Sequence, residues 1–301
     1  MNLEHFGWSP LRGDAFAEYA ADGFVPGRVV SEHRSHFQVV TTAGEVSAEL
    51  SGRLRNEATL RSDLPAVGDF VALRPALADG PARIEALLPR TSALIRKASG
   101  EDRPQVLAAN IDFVFIVTAP DGDFNPARLE RLLALVGDSG AAPVVILNKA
   151  DLADDVGIFT GQIAALANGV PVHVISARSR EGLDAFEHYF SKNQTVGLIG
   201  SSGVGKSTLT NMLLGHDAQA TQPVRLHDSR GRHTTTHRQL FQRAGGGCII
   251  DTPGMRSVES WIRLDVDARE EASPRKPDRA TRKPETKQKW RDRRRSEDAE
   301  T

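Results

Sequence analysis

The run Gly200-Ser201-Ser202-Gly203-Val204-Gly205-Lys206-Ser207-Thr208 constrains this chain more than any other stretch. It matches G-x-x-x-x-G-K-[ST] in full. An apolar strand pattern, Thr195 to Ile199, precedes it and a helical pattern, Ser207 to Leu214, follows. Strand, loop and helix in that order are what the motif needs to work as a phosphate cradle. Its glycines let backbone N–H groups wrap an anion, and the helix turns its positive end toward the same charge. Lys206 is then expected to reach the β- and γ-phosphates, and the Ser207 hydroxyl to ligate Mg2+.

Around the cradle the chain alternates strand and helix. Ile111 to Val117 is a continuous β-branched and aromatic run, suited to a buried parallel strand. Asn125-Pro126 opens a helix with Leu129, Leu132, Leu133 and Val136 at helical spacing, ended by Gly137 or Gly140. Strands are expected at Val144 to Leu147 and Val172 to Ile175, and helices at Ile158 to Ala167 and Leu183 to Phe190. Two more strands are expected at Arg238 to Arg243 and Cys248 to Ile250. The rhythm predicts a doubly wound α/β sheet with its chemistry at the strand C-termini.

The motif at Asn148-Lys149-Ala150-Asp151 selects the base, because it ends an apolar strand and matches N-K-x-D. A carboxylate at Asp151 accepts from both the ring N–H and the exocyclic amine of guanine. Adenine has no such donor pair, and a buried carboxylate left unpaired costs several kcal/mol by order of magnitude. The Lys149 stem is expected along the base plane. Ser176-Ala177, after the strand Val172 to Ile175, is expected to offer a backbone N–H to the guanine carbonyl. Asp251-Thr252-Pro253-Gly254 reads as D-x-x-G, with Asp251 holding Mg2+ through water and the Gly254 N–H sensing the γ-phosphate. Between them lies Gly231-Arg232-His233-Thr234-Thr235-Thr236, one of whose threonines, with Thr235 as the candidate, is expected on Mg2+ in a switch loop.

The first third reads differently. Short β-type runs at Val29-Val30, Phe37 to Val39, Val46 to Leu50, Phe70 to Leu73 and Ile84 to Leu87 are separated by turn signals. They suit either a small closed barrel such as an OB-fold or an unspecialised β-domain. A short helix is expected around Phe16 to Ala21. Leu88 to Asn110, with basic residues from Arg90 to Lys97 and at Arg103, reads as a linker that is solvated or extends a phosphate-facing surface.

Motif order is the unusual feature. Asn148 to Asp151 and Ser176-Ala177 precede the cradle, whereas the usual GTPase order places the cradle first. A permuted core behind a β-domain resembles the ribosome small-subunit-dependent GTPase A family over roughly residues 20 to 256. The resemblance is carried also by Leu50-Ser51-Gly52-Arg53, Pro65-Ala66-Val67-Gly68-Asp69, Gly122-Asp123-Phe124-Asn125-Pro126, Gly231 to Thr236 and Asp251 to Arg256. It implies an OB-fold barrel, a circularly permuted P-loop GTPase domain, and binding to the small ribosomal subunit and its rRNA late in maturation. It also implies GTP hydrolysis that the subunit stimulates. Met255 stands where many GTPases place a water-orienting glutamine, and the family pattern points instead to His233 as the catalytic residue.

The expected organisation is an N-terminal extension over 1–25, an OB-fold over 26–90, a linker over 91–109, the GTPase domain over 110–264, and a charged, disordered tail over 265–301. A short helix is expected from Arg256 to Leu264. In the tail, lysine and arginine outnumber acids between Arg275 and Arg295, a composition unable to bury a core. The family's zinc-binding domain uses three cysteines and a histidine. Downstream of Gly254 there is neither residue, so zinc is not expected.

The only cysteine, Cys248, excludes a disulfide framework, and the net charge of −1 argues against a basic whole-chain nucleic-acid binder. Met1 to Phe16 has no signal pattern, and no apolar run approaches the roughly 20 residues that span a bilayer. A cytoplasmic monomer with no membrane partner is expected. Two other readings stand beside the leading one: a GTP-gated RNA-binding module with little or no hydrolysis, and a P-loop ATPase or kinase, which Asp151 disfavours.

Overall fold

The computed structural model of the protein describes residues 1–33, 36–76, 80–97, 104–121, 124–191, 193–215 and 238–251. Helix α1 (Pro10–Ala21) comes first and starts earlier than its apolar residues suggest, because Pro10 sits in its first turn behind the extended cap Ser9.

Strands β1 (Val25–His33), β2 (His36–Thr41), β3 (Gly44–Leu50), β4 (Phe70–Arg74) and β5 (Ala82–Leu87) follow, with the short helix α2 (Gly52–Glu57) after β3. Their pairing order is β1-β2-β3-β5-β4, and β4 pairs back onto β1. That ring closes a five-stranded barrel with the connectivity of an OB-fold. Alternate residues fill it: Val29, Phe37, Val39, Ala48, Leu50, Val71, Leu73 and Ile84 form one buried cluster.

The segment expected as a linker is instead a β-hairpin. Strands β6 (Ala93–Lys97) and β7 (Pro104–Ala109) pair antiparallel, with Leu94 opposite Ala108. The basic residues and Pro104 obscure the driving force, which is burial of Leu94, Leu107 and Ala108 in a core shared with Val114 and Ile116. Arg90 is no phosphate-facing residue either. Its guanidinium turns inward and grips Asp69, with Nε to Oδ1 at 2.8 Å and Nη2 to Oδ2 at 2.6 Å.

The α/β part contains β8 (Phe113–Thr118), α3 (Pro126–Asp138), β9 (Ala142–Leu147), α4 (Val156–Leu166), β10 (Val172–Val174), β11 (Thr195–Gly200), α5 (Lys206–Leu214), β12 (Gln239–Gln242) and β13 (Cys248–Asp251). The short helix expected at Leu183 to Phe190 forms over those residues, with 3-10 geometry. Strands β10-β9-β8-β11-β13 run parallel in that order, and β12 lies antiparallel beside β13. Separate apolar clusters cover the two faces, one around Leu132, Val145 and Ile163, the other around Phe115, Phe186 and Leu209.

Barrel and α/β sheet share a ladder. Strand β1 pairs with β12 at Ser31 opposite Gln239, so the strands form one sheet of eleven. Arg28 ties the same junction from inside. Its guanidinium, fully buried, donates to the carbonyls of Gly68 (3.1 Å), Phe6 (2.5 Å) and Asn110 (2.9 Å) and to Thr195 Oγ1 (2.8 Å). Burial pulls its pKa down, and four acceptors replace the lost water. Among the described residues, no helix is long and apolar enough to cross a membrane.

Candidate functional site

The segments singled out in the sequence lie at the C-terminal ends of β9, β10, β11 and β13. Strand β11 ends at Gly200, where the backbone takes φ +145° and a Cβ would stand 2.2 Å from the carbonyl oxygen of Val117. Only glycine lets β11 leave the sheet this close to β8. The loop Ser201 to Gly205 then turns into α5, with Ser202 and Gly203 exposed and Val204 buried beneath. Gly205 has φ +94°, and a Cβ there would come within 2.3 Å of Asn148 Nδ2.

That near-contact marks the centre of the site. Asn148, 1% exposed at the end of β9, donates through Nδ2 to the Val204 carbonyl at 2.8 Å. Its Oδ1 accepts from the Ala177 N–H at 2.9 Å. One amide therefore fastens the G-x-x-x-x-G-K-S loop to the Ser176-Ala177 loop. This role was not read from the sequence, where the Ala177 N–H is expected to face guanine.

Asp151 follows on the exposed turn Ala150–Leu152, and its Oδ1 accepts from Ser176 Oγ at 2.6 Å. The expectation of a buried carboxylate is corrected here: Asp151 lies at the surface. A carboxylate at the surface becomes discriminating only when a ligand covers and desolvates it. Lys149 adopts a left-handed backbone, φ +63°, and pairs with Asp121 at 3.4 Å. Arg128, in the first turn of α3, donates through Nη1 to Ser201 Oγ. Neither Asp121 nor Arg128 belongs to a motif. The signal that could have found Asp121 is its place just past the C-terminus of β8, where ligands of open α/β sheets collect.

Electrostatically the loop is poised for an anion. Lys206 is buried and donates to the carbonyls of Gly200 (2.9 Å) and Ser201 (2.6 Å). Burial lowers its pKa from 10.5 to about 8, against the opposing pull of Asp251. Asp251 ends β13, which pairs with β11 at Leu198 opposite Asp251, and burial pushes its carboxyl up to about 6 despite Lys206. Ser207 follows Lys206 in the first turn of α5, and Thr208 follows it, both half-buried. The donor set, a hydroxyl in the first turn of α5 and a desolvated carboxyl at the end of β13, fits a hard dication that takes oxygen ligands. His233, Thr235 and Gly254 lie outside the described residues, as do the expected helix over 256–264 and the tail over 265–301.

Comparison with known proteins points to one family. The family model described as "RsgA GTPase" matches residues 87–261. The small ribosomal subunit biogenesis GTPase RsgA 2 of Lactiplantibacillus plantarum is 47% identical over 241 residues, covering 80% of this chain and 68% of that protein. The small ribosomal subunit biogenesis GTPase RsgA of Opitutus terrae is 44% identical over 270 residues, covering 87% and 74%. Among solved structures, YjeQ from Thermotoga maritima superimposes with a TM-score of 0.59 at 26% identity, covering 79% of this chain and 77% of that one. YloQ, described as a circularly permuted GTPase, gives a TM-score of 0.55 at 24% identity over 78% and 73%, a likeness of fold.

Proposed function

Because this chain belongs to the RsgA GTPase family, we propose that it binds GTP with Mg2+ and hydrolyses it to GDP and phosphate in the maturation of the small ribosomal subunit. The observation that carries the nucleotide part is the Asn148 amide, which holds phosphate loop and base loop together across the sheet.

Each residue has a task in this reading. The backbone from Gly200 to Gly205 wraps the β-phosphate, with Ser201, Ser202, Gly203 and Val204 supplying the N–H lining. Lys206 exchanges its two loop carbonyls for phosphate oxygens, which restores the charge that burial disfavours. Asp151 accepts from the guanine edge while Ser176 orients it. Ser207, Asp251 and a switch threonine, Thr235, would hold Mg2+, Asp251 through water. When bound, that ion neutralises charge on the β- and γ-oxygens.

Hydrolysis adds water to the γ-phosphorus and breaks its bond to the β,γ-bridging oxygen. His233 is assigned to orient that water, because Met255 has no hydrogen-bonding group to offer it. Gly254 N–H is assigned to the γ-phosphate. The small subunit and its rRNA are the proposed partners.

GTP turnover measured across a titration of small ribosomal subunits tests the function. A rise that saturates supports it. Binding of GTP with flat turnover would return the alternative of a nucleotide-gated module without hydrolysis. His233→Ala should keep GTP binding and lose the stimulated rate. Unchanged stimulation removes His233 from the reaction.

A further inference from the structure

Asp121 lies outside every nucleotide motif, yet its Oδ2 stands 3.4 Å from Lys149 Nζ, the lysine of N-K-x-D. Both side chains are largely covered, 32% and 25% exposed. The two backbones are fixed relative to each other. Asn148 N–H donates to the Thr118 carbonyl at 2.9 Å, which joins the ends of β9 and β8, and Ala150 N–H donates to the Ile175 carbonyl at 3.0 Å. Lys149 is thus held on both sides in a left-handed conformation, and Asp121 follows Thr118 by three positions. The segment that carries Asp121 continues into α3, whose Arg128 reaches Ser201 on the phosphate loop. One connection therefore touches both the base-side motif and the phosphate-side motif.

A lysine stem is among the costliest side chains to immobilise, since it surrenders many rotamers when it packs against a ligand. A partner that fixes the ammonium beforehand removes much of that cost from binding. We propose that Asp121 is a positioning residue for the guanine nucleotide, holding the Lys149 ammonium so that the lysine stem is already laid out as a wall for the base. The inference rests on the nucleotide reading above. It assigns a role to a side chain that the motifs leave out.

The test is binding of fluorescently labelled GDP and GTP to the full chain as wild type, Asp121→Asn, Asp121→Glu, Lys149→Met and the double variant Asp121→Asn with Lys149→Met. Asp121→Asn should weaken GDP and GTP by the same factor, about three- to tenfold at low salt, as for a partly buried ion pair. In steady-state hydrolysis the change should fall on KM and not on kcat. Asp121→Glu should recover most of the affinity. In the Lys149→Met background the Asp121→Asn change should have no further effect, a result that a merely structural aspartate would not give. Wild-type affinity in Asp121→Asn, or a loss undiminished in the Lys149→Met background, overturns the proposal. Should Asp121→Asn not fold, Asp121→Glu against Lys149→Met carries the comparison: tight binding by the first and weak binding by the second supports the pairing, and equal binding overturns it. A wild type that binds no guanine nucleotide sinks the nucleotide reading itself, and so separates the two failures.

Discussion

Asn148 donates to the carbonyl of Val204 at 2.8 Å although 56 positions separate them in the chain. The two motifs run along the chain in reversed order, yet adjacency of β9, β8 and β11 brings them into contact. The bond has a clear energetic signature. Asn148→Ala strands a buried carbonyl and the buried Ala177 N–H, each costing about 1–3 kcal/mol when left unpaired. GDP and GTP affinity should fall at least tenfold and the unfolding midpoint should drop, both read by nucleotide titration and thermal melts. Wild-type affinity in this variant would show that the two loops need no fastening.

Base choice should be transferable. Asp151→Asn replaces an acceptor with a donor opposite the guanine amine, while xanthine presents a carbonyl there. Guanine nucleotides should bind about a hundredfold more weakly, and xanthine nucleotides should gain, in line with the roughly 2–3 kcal/mol of a lost charge-assisted hydrogen bond. Competition between GDP and xanthosine diphosphate for a labelled nucleotide reads the outcome. A variant that still prefers GDP would remove Asp151 from base recognition.

Nucleotide affinity should decline in alkaline solution. Lys206 has a pKa of about 8 in the folded protein, below its usual 10.5. The phosphates need the ammonium form, so affinity is full below about 8 and falls as pH rises through it, by up to about tenfold per unit. The sign for folding is opposite. Between about 8 and 10.5 the unfolded chain holds the proton that the folded one has lost, so this group's destabilising contribution is present below about 8 and relieved above it. Affinity titrations from pH 7 to pH 9.5 with wild type and Lys206→Met decide the matter, because the slope should vanish in the variant.

Barrel stability should depend on a pair that looks, in sequence, like part of a basic linker. Asp69 is fully buried and held by both Arg90 and the Ala66 N–H. Arg90→Met leaves that buried carboxylate without its counter-ion and should cost about 3–5 kcal/mol in urea unfolding. Adding Asp69→Asn should recover part of the loss. A destabilisation under about 1 kcal/mol would mean that the carboxylate finds other partners.

Local chemistry was the legible part of this protein. The buried strands β8, β9 and β11 follow from β-branched and aromatic runs, and α3 from Asn125, whose side chain accepts from Arg128 N–H at 2.9 Å behind Pro126. The barrel strands follow from alternation, and their closure is visible only once β4 meets β1. The hairpin of β6 and β7 looks like a linker in sequence because polar and basic residues flank its apolar ones, which find their core only in contact with β8. In the site, motif residues were identifiable one by one. The Asn148 bridge, the Asp121 pair and the surface position of Asp151 depend on which strands lie side by side, and no local pattern records that.

The pairing of β1 with β12 leaves no seam between barrel and α/β sheet. Strand β12 lies beside β13, the strand that ends on Asp251 of the D-x-x-G motif. Through Ser31 and Gln239 the barrel is hydrogen-bonded to β12, which pairs in turn with β13 and its terminal Asp251. Mechanically, barrel and nucleotide core are a single piece of backbone at this point, with no linker between them.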